Sequence, residues 1–275
     1  MLFSVELMAI GLGVGFLATL AGIGGGVILT PLLLLFFPDR PAQVIAAASL
    51  SVVALNTLSG SIAYHRMGRI DLKTAAAYGA AALPGIVLGS LGTAHVPRGI
   101  FDFLLGALLL ALAAGLLRPA ARAASRRLTE EKGSFAPRRI VDRDGRVYEF
   151  RFRYRAGIWV CSCVAFLSSL LGIGGGSIYV PLMIRFLHIP PHIATATSQG
   201  LLLITSSAAV LVHFLRGNLA RDLIVPLALG VVCGAQGGAA VSGRLRSTSL
   251  TRVLAGLLIF VSARILLQGA KAFLG

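Results

Sequence analysis

Two stretches of the chain carry the same glycine cluster, Gly22-Ile23-Gly24-Gly25-Gly26 and Gly172-Ile173-Gly174-Gly175-Gly176, and each is followed by a proline, Pro31 and Pro181. Glycine lets a backbone leave helical geometry and lets a ligand come close to it. The residues that follow, Val27 to Phe36 and Ser177 to Leu187, are apolar enough to start a new short helix. The first N–H groups of such a helix lack intrahelical partners, and its dipole places partial positive charge there. An anion is the natural occupant. The candidate donors are the amides of Gly22, Gly24, Gly25, Gly26, Gly172, Gly174, Gly175 and Gly176, with the Ser177 hydroxyl beside them. A second polar set lies in the next apolar run of each half, and from it Ser49, Asn56, Thr197, Ser198 and Gln199 are expected to line the same site. Neutral hydroxyls and amides complete an oxyanion shell without adding fixed charge, and the amides of Asn56 and Gln199 are costly in hydrocarbon unless partnered.

The elements that must hold these residues follow from composition. The chain has 275 residues, 56% hydrophobic and 13% charged, with a mean hydropathy of +0.87. A soluble domain carries about a quarter charged residues. This chain has too few polar side chains to cover a water-facing surface, which excludes a soluble enzyme, a disordered chain and a secreted disulfide scaffold. The expected class is an all-α polytopic membrane protein, because helices satisfy their own backbone in lipid. Apolar runs lie at about 3–37, 41–64, 72–92, 98–117, 156–187, 190–215, 219–242 and 248–273. A span needs about 20 apolar residues. Runs 3–37 and 156–187 are too long for one span and too short for two, and the glycine clusters interrupt just these two. They are expected to be discontinuous helices.

The two clusters belong to an internal repeat. Phe16-Leu17 lies against Phe166-Leu167 and Pro31 against Pro181; after one deletion Ala48-Ser49 lies against Thr197-Ser198, Gly68 against Gly217, and Gly85 and Gly89 against Gly234 and Gly238. The expected organisation is a first transmembrane repeat at 1–117, a basic linker at 118–155 and a second repeat at 156–275. Gly85/Gly89 and Gly234/Gly238 are small-xxx-small pairs that read as helix-packing positions. Simple crossing gives eight spans. An odd number of crossings per half gives inverted halves with re-entrant segments, as in inverted-repeat transporters whose broken helices meet at the midplane, and the glycine breaks favour this picture. In both pictures the linker is cytoplasmic.

Twelve of the 25 Lys and Arg residues and five of the ten acids fall within 118–155, so this short stretch alone carries +7 of the net +15. The positive-inside rule explains it without a nucleic-acid partner. Arg118 to Arg139 is Arg- and Ala-rich and can begin as a helix continuing out of the membrane. Asp144-Gly145 is a hairpin-type turn signal. After it Tyr148, Phe150, Phe152 and Tyr154 alternate with Val147, Glu149, Arg151 and Arg153. The alternation describes a small hairpin, lying either on anionic headgroups with its aromatics at the interface or acting as a regulatory or partner-binding element.

The remaining residues carry little chemistry. Cys161, Cys163 and Cys233 show no metal or redox spacing and read as small apolar side chains. Arg185 and Arg264 lie toward run ends, where snorkelling accounts for them. His65 and His213 end corresponding runs; His188 and His192 are separated by Pro190-Pro191, which argues against a metal pair. The loose dinucleotide pattern from Gly13 has no βαβ context. No catalytic set, metal site or cofactor site is expected, and the first apolar run reads as mature protein rather than a signal peptide. The acids outside the linker are Glu6, Asp39, Asp71, Asp102 and Asp222, all near run ends. No midmembrane carboxylate is therefore available to couple protons or sodium. An anion leaving a negative-inside cell gains about 2.3 kcal/mol per charge per 100 mV, so efflux needs no coupling ion.

The duplicated GIGGG-x4-P element at 22–31 and 172–181, the Ala/Thr-Ser stretches at 46–50 and 194–199, and Gly68 with Gly217 resemble the sulfite exporter TauE/SafE family. The resemblance covers both halves and omits the linker. It implies an inner-membrane permease for small sulfur-containing or organic anions such as sulfite, sulfoacetate or related sulfonates. The first half reads Ala46-Ala47-Ala48-Ser49-Leu50 where the second reads Thr195-Ala196-Thr197-Ser198-Gln199, so the second half is expected to supply more polar ligands. The expected function is export of a small oxyanion by rocking of one half against the other. An anion-selective channel, or an assembly or signalling subunit working through the linker, are the alternatives.

Overall fold

Long alanine-, leucine- and valine-rich segments with proline only at their starts build the two longest described helices, Ala42–Arg66 and Pro191–Leu215. The computed structural model describes residues 2–117, 135–143, 145–185, 187, 189–242, 255–256 and 258–267. The first four helices are α1 (Leu2–Ala21), α2 (Gly26–Phe36), α3 (Ala42–Arg66) and α4 (Leu72–Gly92). A 3-10 turn (Thr93–His95) leads into α5 (Arg98–Leu117). Strands β1 (Phe135–Val141) and β2 (Val147–Arg153) follow, then α6 (Tyr154–Leu170), α7 (Gly176–Arg185), α8 (Pro191–Leu215) and α9 (Arg221–Val241). A further apolar helical segment spans Leu258–Leu267.

Among the described residues, six helices are long and apolar enough to cross a bilayer: Ser4–Ala21, Ala42–Arg66, Leu72–His95, Arg98–Gly115, Pro191–Leu215 and Arg221–Val241. At 1.5 Å per residue, the 25 residues of α3 or α8 measure about 37 Å, enough for a core about 30 Å thick. The 11 residues of α2 and 10 of α7 reach only about 16 Å, half that thickness. Large apolar side chains point outward along the long helices, with Leu215 75% and Leu88 61% exposed. In water such a surface would aggregate; in lipid it is the solvated face. The protein is an all-α polytopic membrane protein.

The helix order and lengths of α1–α4 return in α6–α9. Their chain reversals return as well. Gly68 and Gly217 adopt φ of 72° and 71°, and each ends its helix with a paired closure: Gly68 N–H to His65 O and Arg69 N–H to Tyr64 O, then Gly217 N–H to Phe214 O and Asn218 N–H to His213 O. This is the left-handed glycine stop that satisfies a helix's last carbonyls. α1 packs along α9 and α4 along α6, while α3 and α8 cross between them. The small-residue positions make these contacts close. A Cβ on Gly85 or Gly89 would collide with the Ser162 or Phe166 carbonyl of α6, and one on Gly234 or Gly238 with the Leu12 or Phe16 carbonyl of α1. The packing role read for these pairs is the one they have.

The hairpin forms where the alternation placed it, β1 pairing antiparallel with β2 from Phe135↔Arg153 to Val141↔Val147. Three readings are corrected. Residues 135–139 are strand, not a continuing helix; the rest of that helix reading, 118–134, lies outside the described residues. The second helical block starts at Tyr154, two residues before the expected boundary, because the strand runs directly into α6. The hairpin's apolar face is turned onto the protein instead of outward: Ile140, Tyr148 and Phe150 are partly buried and pack against the buried cluster that includes Tyr78, Cys161 and Met183.

Candidate functional site

Each glycine cluster begins with a helix stop. Gly22 (φ 73°) closes α1 with Ile23 N–H bonded to Ala18 O at 2.9 Å, and Gly172 (φ 69°) closes α6 with Ile173 N–H bonded to Ser168 O at 3.0 Å. The next two glycines also take left-handed angles, 76° and 94° at Gly24 and Gly25, 74° and 77° at Gly174 and Gly175. L-residues pay about 1–2 kcal/mol for that conformation, which explains why the cluster is glycine. The chain then re-enters helix at Gly26 and Gly176. The first bonded amides of the new helices are Ile28 and Leu29, both to Gly25 O, and Ile178 and Tyr179, both to Gly175 O. Between stop and restart, the amides of Gly24 to Val27 and of Gly174 to Ser177 donate to no backbone carbonyl among the described residues. No side chain caps α2 at Gly25. All eight of these residues are buried.

The two loops face each other. Gly26 lies so close to the Ile173 carbonyl, and Gly176 to the Ile23 carbonyl, that a Cβ at either would strike backbone oxygen. Outside this contact, Gly22 abuts Thr195 and Gly172 abuts Ala46, residues that the repeat places in register. Gly24 and Gly174 both abut Val53, and Gly24 and Gly176 both abut Leu202. Val53 and Leu202 are a repeat-related pair near the midpoints of α3 and α8, and both are fully buried. The paired loops therefore sit half-way along the two longest helices, with one aliphatic side chain from each half against them.

Two of the expected polar side chains, Ser198 and Asn56, bond loop carbonyls directly, and Ser49 backs a third through Thr30. Ser198 Oγ donates to Gly22 O at 2.8 Å and is also 2.8 Å from Thr195 O. Asn56 Nδ2 donates to Gly24 O at 3.2 Å and its Oδ1 accepts from Thr19 Oγ1 at 3.1 Å. Ser49 Oγ lies 2.8 Å from Thr30 Oγ1, and Thr30 Oγ1 lies 2.7 Å from Gly172 O. Thr197 Oγ1 accepts from the Asp71 amide at 3.1 Å, tying α8 to the start of α4. A held carbonyl fixes its peptide plane, so these bonds set where the adjoining N–H groups point. Gln199 and Ser177 differ. The Gln199 amide is fully buried against Gly60 with neither Oε1 nor Nε2 partnered, and the Ser177 hydroxyl is buried and unpartnered.

Thr19, Thr30, Val53 and Leu202 were not among the residues expected from sequence. The repeat offset was the available signal: it sets Thr19 against Ser169 and Val53 against Leu202. Thr30 has no polar counterpart, since Val180 stands at its repeat position. Arg185's side chain and His188 lie outside the described residues.

A buried double loop with free amides, inside a bundle of lipid-length helices, defines a multi-pass membrane protein with a polar centre. The pattern of one family, described as sulfite exporter TauE/SafE, matches residues 7–265. The chain belongs to that family and is a membrane transporter. Among curated proteins, it is 27% identical over 272 residues to the probable membrane transporter protein YunE of Bacillus subtilis, covering 96% of this chain and 98% of that protein. It is 27% identical over 219 residues to the probable membrane transporter protein MJ0441 of Methanocaldococcus jannaschii, covering 77% and 72% of the two chains. It is 26% identical over 178 residues to a probable membrane transporter protein of Haemophilus influenzae, covering 64% and 59%. No solved structure matches the chain.

Proposed function

We propose that this transporter carries a small sulfur-containing oxyanion, sulfite or an organosulfonate such as sulfoacetate, across the bacterial inner membrane, and that the anion binds between the two glycine loops. The observation that carries the reading is the pair of buried amide runs, 24–27 and 174–177, that donate to no backbone carbonyl among the described residues. A buried donor without an acceptor costs about 1–3 kcal/mol. An anion recovers that cost at two helix starts together, with the dipoles of α2 and α7 adding to the attraction. Ser177 and Gln199 supply side-chain donors from the second half, while Ser49, Asn56, Thr197 and Ser198 hold the surrounding backbone.

Alternating access follows from the same arrangement. The loops join two structurally matched sets of helices, read here as inverted repeats with discontinuous first helices and the linker on the cytoplasmic side. Val53 and Leu202 shut the space beside the glycines in this conformation. Rocking of one set against the other would draw the two side chains apart and open the site to one side at a time. With no carboxylate at the loops, the membrane potential drives the anion outward.

The test is a binding panel of sulfite, sulfoacetate, thiosulfate and acetate on purified protein, repeated with Gly25→Leu, Gly175→Leu and Gln199→Glu. The leucines strain left-handed positions and fill the site; the glutamate puts negative charge into it while leaving every glycine intact. Loss of sulfonate or sulfite binding in all three is expected. Unchanged binding in all three sinks the site. In proteoliposomes, saturable flux with counterflow is expected, and continuous non-saturating conductance would make the protein a channel. Flux should also vanish when the potential is clamped at zero with balanced anion.

A further inference from the structure

The hairpin does more than cover a turn. Its tip is fixed to the α3–α4 connection by Arg143 N–H to Met67 O at 3.1 Å and by the buried Arg69–Asp142 ion pair at 3.4 Å, and within the hairpin Arg146 N–H bonds Asp142 Oδ1 at 2.9 Å. Further along, Arg138 pairs with Asp71 at 3.3 Å and Arg139 with Glu149 at 3.5 Å. Two arginines in the same place are treated differently. Arg66, at the end of α3, and Arg143, at the hairpin tip, make no ion pair among the described residues. Both line one open cavity of about 340 Å³, walled by Ala63, Met67, Gln236 and Ala240. Gln236 is held in that wall by bonds from its Nε2 to Ser59 Oγ at 2.8 Å and Ser59 O at 3.0 Å.

We propose that this cavity is an outer oxyanion site, in which Arg66 and Arg143 together take a soluble sulfonate- or sulfate-like anion on its way to or from the glycine loops. Two guanidiniums brought to one cavity with no acid among its described lining residues repel each other, and a bound oxyanion reverses that repulsion. Guanidinium N–H groups match the geometry of such an oxyanion. The small side chains of Ala63 and Ala240 leave the room, and the fixed hairpin tip sets Arg143 across from Arg66. The same helix leads inward. Thr57 packs beside Gly24, Gly60 beside the free amide of Gln199, and Ala63 and Arg66 line the cavity. From Thr57 to Arg66 is about 14 Å along the helix axis. The delivery role rests on the proposed transport of an oxyanion; the site itself does not.

The test places a cysteine in the cavity wall, Ala240→Cys, in a background carrying Cys161→Ala, Cys163→Ala and Cys233→Ala. Its rate of modification is compared between an anionic sulfonatoethyl and a cationic trimethylammonioethyl methanethiosulfonate, each normalised to a free thiol. At least tenfold preference for the anionic reagent is expected, slowed by millimolar inorganic sulfate. Arg66→Gln with Arg143→Gln should bring the ratio near one and abolish sulfate protection. Equal rates in the parent, or protection that survives the double substitution, overturns the site. The same labelling in nanodiscs separates the two sources of oxyanion: protection by phosphatidylglycerol with no response to sulfate makes this a lipid-headgroup site and overturns the proposal. Sulfite flux is measured in parallel. Flux without the labelling pattern removes the outer site alone, and the labelling pattern without flux removes the transport reading alone.

Discussion

The two glycine loops have the same backbone and different supports. In the first, Gly22 O is held by Ser198 from α8 and Gly24 O by Asn56 from α3, which is itself held by Thr19. In the second, Gly172 O is held by Thr30, backed by Ser49, and the Ser177 hydroxyl beside it is unpartnered among the described residues, while the unpartnered Gln199 amide lies against Gly60 in the first half. Each loop's first carbonyl is thus held from the other half. Among the described residues, side chains hold two carbonyls of the first loop and one of the second, and the second keeps the Ser177 hydroxyl to spare. Duplication preserved the turn, which only glycine can make, and let the side chains around it divide the work of framing and of binding.

The broadest way to break this comparison is to attack what the loops share. A Cβ at Gly26 would enter the Ile173 carbonyl and one at Gly176 the Ile23 carbonyl. Backbone cannot swing aside as a side chain can, so Gly26→Val and Gly176→Val should each cost about 3 kcal/mol or more. Both variants should lose thermal stability in detergent by similar amounts and lose all flux. Wild-type stability in either one would show that the loops do not meet.

The next test separates the frames. Asn56→Leu strands Gly24 O and the Thr19 hydroxyl in the interior and should cost about 2–3 kcal/mol. Among the described residues, the hydroxyl of Thr205, the repeat partner of Asn56, bonds only back to Leu202 O at 3.2 Å. Thr205→Val should cost under about 1 kcal/mol. Thermal unfolding of the two variants side by side reads the difference, and equal losses would mean that the framing is not confined to the first loop.

The turn was legible in the sequence and its wiring was not. Glycine at three left-handed positions, 22, 24 and 25, repeated in register at 172, 174 and 175, leaves few alternatives to a break in the helix. The hairpin likewise showed itself through alternation at 147–154 and the Asp144-Gly145 turn signal. Which way the hairpin faced was hidden, because a face of Tyr148 and Phe150 suits lipid headgroups as well as the buried cluster that includes Tyr78, Cys161 and Met183. The hydroxyl roles were hidden for a related reason. Ser49 and Ser198 are repeat partners, yet one lies against Thr30 and the other donates directly to a glycine carbonyl. That choice depends on Thr30 facing Val180 in the repeat, a single substitution with no periodic signature.

A third test sharpens the binding side. The buried Gln199 amide has no partner, so replacing it with leucine removes a desolvation cost instead of a bond. Gln199→Leu should leave the melting temperature unchanged or raise it, while sulfite or sulfonate flux falls at least tenfold, equivalent to about 1.4 kcal/mol of lost interaction. Flux and stability falling together would make Gln199 part of the frame, and the division of labour between the loops would disappear.

The finest test asks whether the second loop's support is one unit. Thr30→Val keeps the side chain's shape and removes the hydroxyl that lies 2.7 Å from Gly172 O and 2.8 Å from Ser49 Oγ. Ser49→Ala removes the far end of the same relay, and Ser198→Ala removes the donor to Gly22 O in the other loop. Each single change should cost about 1 kcal/mol. Members of one relay should not add: once Thr30 is valine, Ser49 has already lost its partner, so the Thr30→Val/Ser49→Ala cycle should show a coupling of about 0.5 kcal/mol or more. Thr30 and Ser198 hold different carbonyls and share no bond, so their double variant should be additive within about 0.5 kcal/mol. Coupling in the second cycle as large as in the first would mean that strain passes from one loop to the other through the Gly26–Ile173 and Gly176–Ile23 contacts. The loops would then respond to their supports as a single rigid body.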